Sequence, residues 1–170
     1  MKISLFVLPI IAMSLLLVGL CGNIYSTKNI STHQKGNLET HLGETIQLDN
    51  LTENEKLKGK WVVLDFWASW NSESLKENSF LNDVYSKYSP KNLEIVSVSL
   101  DNSKERWKNA VAQKNSSWLE VSDLKGWKSA ACNKYKVSAL PYRVLLNPKG
   151  EIVKTTKSNQ ELVETLEEVL

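Results

Sequence analysis

The hydrophobic positions of this chain fall into runs of two kinds, and their order predicts an α/β fold. Trp61 to Phe66 (WVVLDF) and Leu93 to Leu100 (LEIVSVSL) are nearly continuous apolar, β-branched segments. Both have the pattern of strands covered on both faces. Between them, Leu81, Val84, Tyr85 and Tyr88 recur at helical spacing within Ser72 to Tyr88, and Pro90 closes the segment. Ser103 is placed to N-cap a helix carrying Trp107, Ala110 and Val111, and a shorter helix is predicted from about Ser129. Tyr142 to Leu146 and Glu151 to Thr155 flank Asn147-Pro148-Lys149-Gly150, whose Asn, Pro and Gly occupy the first, second and fourth positions of a type I turn, so they predict an antiparallel hairpin. Gln160 to Leu170 places Leu162, Val163, Leu166, Val169 and Leu170 on one helical face. Strands separated by helices pair in parallel, and the hairpin adds an antiparallel edge, giving a central mixed sheet flanked by helices.

Upstream of this region the pattern changes. Met1-Lys2 followed by the apolar Ile3 to Leu20 reads as a leader over residues 1–20. Residues 21–38, rich in Ser, Thr, Asn, Gly and Lys without hydrophobic period, read as a flexible tether, and residues 39–170 as one domain with a short extended segment around Thr45 to Leu48. Val18-Gly19-Leu20-Cys21 resembles a bacterial lipobox, with Cys21 the residue to be acylated. Leu20 departs from that pattern, which prefers a small residue there, and an uncleaved apolar anchor and ordinary signal cleavage are the alternatives. Each implies export, and the lipid or anchor would hold the chain at the cell envelope.

Composition narrows the chemistry. The 170 residues carry a net charge of +2, which falls to +1 without Lys2, so no nucleic-acid partner is implied. Six tryptophans point to a substantial aromatic core. His33 and His41 lie in or near the tether with no Cys, Asp or Glu at metal spacing, so neither metal nor cofactor is expected. The two cysteines are Cys21 and Cys132, and the second is expected to be a buried structural residue.

Three segments carry a resemblance. Gly59 to Trp70 (GKWVVLDFWASW), Leu140-Pro141 ahead of an apolar strand and turn, and Trp118 to Trp127 (WLEVSDLKGW) ahead of Tyr135-Lys136-Val137 resemble the thioredoxin superfamily, in particular the envelope thiol-disulfide proteins of the TlpA, ResA and AhpC/TSA type. The resemblance runs from about residue 41 to 170. It implies a three-layer thioredoxin-like fold, a cis-proline at Pro141 and a dithiol at the start of the first helix. The dithiol is missing. The run is Trp70-Asn71-Ser72-Glu73-Ser74, with Asn71 and Ser74 where such relatives have the two cysteines, and no cysteine lies between Cys21 and Cys132. An amide cannot ionise to a nucleophile, and an alcohol without a partnered base stays protonated, so no dithiol exchange is expected there. Asn71 or Ser72 can instead N-cap the helix, with Glu73 in its first turn.

Asp65 and Glu77 match carboxylates common in such relatives. Without a thiol to serve, they are expected to be structural polar residues rather than an acid/base pair. Trp70, Asn71, Ser72 and Glu73 on one side and Leu140, Pro141 and Tyr142 on the other are expected to frame a groove for an extended polypeptide, by analogy with the family. Two alternatives stand beside that reading: thiol chemistry through Cys132, and a decayed paralogue that keeps the frame only because the fold does.

Overall fold

The architecture comes from a computed structural model, which describes residues 36–47, 51 and 53–170. The leader, Cys21 and nearly all of the tether lie outside the described residues. The first strand, β1 (Asn37–Thr40), begins two residues before the expected start of the domain, and β2 (Thr45–Gln47) follows it through a tight turn. The strands β3 (Trp61–Trp67) and β4 (Leu93–Ser99) occupy the two long apolar runs. After them come β5 (Leu119–Ser122) and the hairpin of β6 (Tyr142–Leu146) with β7 (Ile152–Thr156). The helices are α1 (Ser72–Lys76), α2 (Asn78–Tyr88), α3 (Lys104–Lys114), α4 (Ala130–Tyr135) and α5 (Asn159–Val169).

Three elements differ from expectation. The helix expected over residues 72–88 is divided at Glu77, whose side chain is drawn to Arg143, while Asn78 Nδ2 donates to the carbonyl of Lys114 at 2.8 Å. The apolar period read from the sequence belongs to α2 alone; Leu75 in α1 is exposed. The strands β1 and β5 carried no strand expectation. Each has four residues, and they pair antiparallel with Glu39 opposite Ser122 and Thr40 opposite Val121. Pairing supplies what such short segments lack in periodicity.

Among the described residues the strands form one mixed sheet in the order β2-β1-β5-β4-β3-β6-β7. The pairs β3/β4 and β4/β5 are parallel, and β3/β6 and β6/β7 antiparallel, as helical crossovers and a hairpin require. Side-chain alternation divides the core. Val62, Leu64 and Phe66 face α4, with Val96, Val98, Val144, Cys132 and Tyr135. Val63 faces the other layer, with Leu81, Val84 and Tyr88 of α2 and Leu162 and Leu166 of α5. Trp67 on that face packs with Trp107 and Val111 of α3. The hairpin closes with Gly150 N–H donating to Asn147 O at 2.8 Å, at a φ of +82° that glycine adopts without strain.

Candidate functional site at the ends of strands β3 and β6

Because β3 and β6 are antiparallel and Phe66 lies opposite Tyr142, the chain leaving β3 and the chain entering β6 share one end of the sheet. This brings Trp70 to Ser74 and Leu140 to Tyr142 to the same edge. The Leu140–Pro141 peptide bond is cis. The leaving loop is anchored by Asp101, just past β4. Ser69 N–H donates to Asp101 Oδ2 at 3.0 Å and Ser69 Oγ to Oδ1 at 2.6 Å, while Ser99 Oγ donates to Oδ2 at 2.7 Å. Backbone bonds from Leu100 N to Trp67 O (2.8 Å) and from Asn71 N to Ala68 O (3.1 Å) complete the turn.

Asn71 is the N-cap of α1. Its extended backbone, at φ −101° and ψ 106°, lets Oδ1 accept the Ser74 N–H at 2.8 Å. The amide therefore occupies one of the free N–H groups at the helix start. Glu73 lies in the first turn and pairs with Lys76 at 3.0 Å, both side chains largely exposed, which adds little stability. Ser74 is 5% exposed, and its Oγ has no hydrogen-bond partner among the described residues. Trp70, by contrast, is 48% exposed and meets the ring of Trp127 at 6.3 Å between centroids, inclined by 54°.

Beneath this edge lies a charged network that sequence reasoning did not foresee. Strand register aligns Arg143, Asp65, Ser97 and Glu120 in one row across β6, β3, β4 and β5. Arg143 is fully buried; Nη2 donates to Glu77 Oε2 at 2.9 Å and Nη1 to Asn159 Oδ1 at 2.7 Å, and its guanidinium carbon lies 5.3 Å from the centre of the Phe80 ring. Arg143 Nε stands 3.4 Å from Asp65 Oδ1 without hydrogen-bond alignment, so that attraction is coulombic. Ser97 Oγ donates to Asp65 Oδ2 at 3.4 Å and itself accepts the Trp118 indole N–H at 2.8 Å. At the far end, buried Lys114 pairs with Glu120 at 2.7 Å and sits 3.8 Å above the Trp67 ring.

Burial pushes the Asp65 carboxyl above the ordinary range, opposed by Arg143 and Lys114, and burial does the same to Glu120, opposed by Lys114. A cation is thus present beside Asp65, and Glu77 is on the same guanidinium. Asp65 and Glu77 therefore share Arg143 as their counter-ion. The sequence did contain a signal, since Asp65 and Arg143 are opposite charges placed inside two otherwise apolar strand runs. Cys132 is on α4, 3% exposed, with its thiol pushed up to about 11 by burial and by Asp123. Among the described residues no cluster of three His, Cys, Asp or Glu could hold a metal ion.

The match to a family model described as thioredoxin-like covers residues 59–152. The chain belongs to the thioredoxin-like family. This thioredoxin-like chain is 35% identical over 101 residues to the thiol-disulfide oxidoreductase ResA of Bacillus anthracis, covering 59% of the chain and 57% of that protein. It is 32% identical over 117 residues to the thiol-disulfide oxidoreductase ResA of Bacillus subtilis (strain 168), covering 69% and 60%. It therefore spans less than two thirds of the length of these curated relatives. Among solved structures, a thiol-disulfide oxidoreductase from Bacteroides fragilis NCTC 9343 superposes with a TM-score of 0.72 at 29% identity, over 79% of this chain and 96% of that one. The thioredoxin-like sheet and helices expected from the sequence are borne out by these matches and by the strand order.

Proposed function

We propose that this thioredoxin-like protein has no dithiol activity and holds an extended polypeptide at the shared edge of β3 and β6. The observation that carries the reading is the Asn71 cap: the position that a thiolate needs, facing the free N–H groups of the first helix turn, is filled by an amide whose oxygen already accepts the Ser74 N–H. In this reading Trp70, Asn71, Ser72 and Glu73 form one side of the groove and Leu140, Pro141 and Tyr142 the other, with backbone groups and aromatic surface taking the bound chain. The N-terminal features support an exported protein tethered at the envelope through acylated Cys21, its partner being an extended segment of an envelope protein.

Capture from envelope extract by the full chain, compared with a Trp70→Ala, Tyr142→Ala double variant, tests the groove. Partners retained by the native chain and lost by the variant are expected; identical captures would remove the groove from consideration. The names of the relatives favour a second reading, thiol exchange through Cys132. A buried thiol with a raised pKa is a poor nucleophile at neutral pH, which weighs against it. Dithiothreitol-driven insulin reduction that is present in the native chain and absent from Cys132→Ala would establish that alternative.

A further inference from the structure

The groove reading leaves Trp127 unexplained, although it is 47% exposed and in ring contact with Trp70. Two half-exposed indoles in contact leave a joint apolar surface open to water. Backbone hydrogen bonds fix the turn that carries each. Trp70 follows Ser69, which Asp101 fixes twice, and Trp127 is the centre of a one-turn 3₁₀ segment, Gly126–Lys128, closed by Lys128 N–H to Lys125 O (3.1 Å) and Ser129 N–H to Gly126 O (3.0 Å). Gly126 has a φ of +56°, and a Cβ there would stand 3.5 Å from Leu100 O, at the end of β4 beside the β3 exit. Two rigid turns, far apart in sequence, thus present two indoles at 54° to one another, an open angle rather than a closed stack.

The charge around the second indole is one-sided. Lys125 and Lys128 flank Trp127, both exposed, and neither has an ion pair among the described residues. The acidic neighbour Asp123 uses Oδ1 to accept the Lys125 backbone N–H. On the Trp70 side, Glu73 is already neutralised by Lys76.

Resting on the groove reading and extending it, we propose that Trp70 and Trp127 form an aromatic clip that selects the bound polypeptide. A tryptophan, phenylalanine or tyrosine side chain packs onto the exposed faces of these two touching rings, and Lys125 and Lys128 favour a carboxylate-rich segment around that residue. The partner is therefore an extended acidic peptide bearing an aromatic anchor.

Fluorescence anisotropy on the full chain tests this with labelled extended peptides: one tryptophan flanked by glutamates, the same peptide with alanine for tryptophan, and the same peptide with lysines for glutamates. The glutamate-tryptophan peptide should bind best, by about tenfold over either control, and lose affinity as salt is raised. Trp127→Ala should remove the preference for tryptophan, Trp127→Phe should retain it, and Lys125→Glu with Lys128→Glu should transfer preference to the lysine peptide. Equal binding of all three peptides by the native chain, or an unchanged preference in Trp127→Ala, would overturn the clip. Tyr142→Ala separates the two claims. Affinity lost in Tyr142→Ala but kept in Trp127→Ala leaves the groove standing without the clip; the reverse leaves the clip and removes the groove.

Discussion

Replacing Arg143 by methionine is the most informative single perturbation of the interior. The substitution keeps a long, flexible side chain but deletes the cation, so that Asp65 and Glu77 lose their shared counter-ion and Asn159 Oδ1 loses its donor. Glu77 is about a quarter exposed and can turn to water; Asp65 cannot. Removing one partner of a buried ion pair costs about 3–5 kcal/mol, which is a large share of the roughly 5–15 kcal/mol typical of a whole domain. The loss must also depend on pH. Asp65 already has a raised pKa because burial outweighs Arg143 and Lys114, and without Arg143 the rise grows. A carboxylate whose pKa is higher folded than unfolded binds its proton more tightly in the folded state, so its stabilising effect is complete in acid and is lost as pH rises through the folded value. Urea unfolding followed by tryptophan fluorescence, run at several pH values, should show a deficit that is greatest in mild alkali and narrows on acidification. Adding Asp65→Asn should recover part of it at high pH. A deficit under about 1 kcal/mol, or one that does not vary with pH, would refute the claim that Arg143 is the counter-ion of this interior.

Other outcomes follow from the same structure. Asn71→Ala should lower stability by about 1 kcal/mol in chemical unfolding, since it removes the side-chain acceptor of the Ser74 N–H, whereas Asn71→Asp should be neutral or stabilising. Ser74→Ala should cost nothing measurable, because Ser74 Oγ is buried with no hydrogen-bond partner among the described residues. The double variant Asn71→Cys, Ser74→Cys should form a disulfide reducible by dithiothreitol and reduce insulin faster than the native chain; a pair that stays inert would show that more than sulfur is missing from this site. Cys132, held at about pKa 11 by burial and Asp123, should resist iodoacetamide at neutral pH in the folded chain and react only on unfolding, as mass spectrometry would record.

The long central strands were legible because seven-residue apolar runs covered on both faces have few other readings, and α5 because Leu162 and Leu166 recur on one face. The hairpin was legible from Asn147, Pro148 and Gly150, although β7 begins at Ile152, with a register shift between Leu145 and Leu146. β5 was not, since Leu119–Ser122 is defined by its neighbours β4 and β1 rather than by period. The break at Glu77 was equally hidden: neither Gly nor Pro marks it, and its cause is an arginine 66 residues away. At the site, the Asn71 cap and burial of Cys132 followed from local chemistry. Arg143, Lys114 and Glu120 escaped notice because a buried charge is intelligible only through its partner, and these partners come from different elements of the fold.

The row from Arg143 through Asp65 and Ser97 to Glu120 also acts as an alignment key for the sheet. Apolar strands such as WVVLDF and YRVLL could slide past one another with little change in the oil they bury. A slip of one residue, however, would turn Arg143 toward the α4 layer, among Phe66, Val98 and Tyr135, while leaving Asp65 on the opposite side. A slip of two would keep both on one face but separate them by a pleat. In either case an ion is stranded in a dry interior, so the polar row excludes neighbouring registers that hydrophobicity alone would tolerate. The loop carrying Asn71 starts at the end of β3 and the chain carrying Pro141 ends at the start of β6, and the edge they frame exists only in the one alignment that matches these charges.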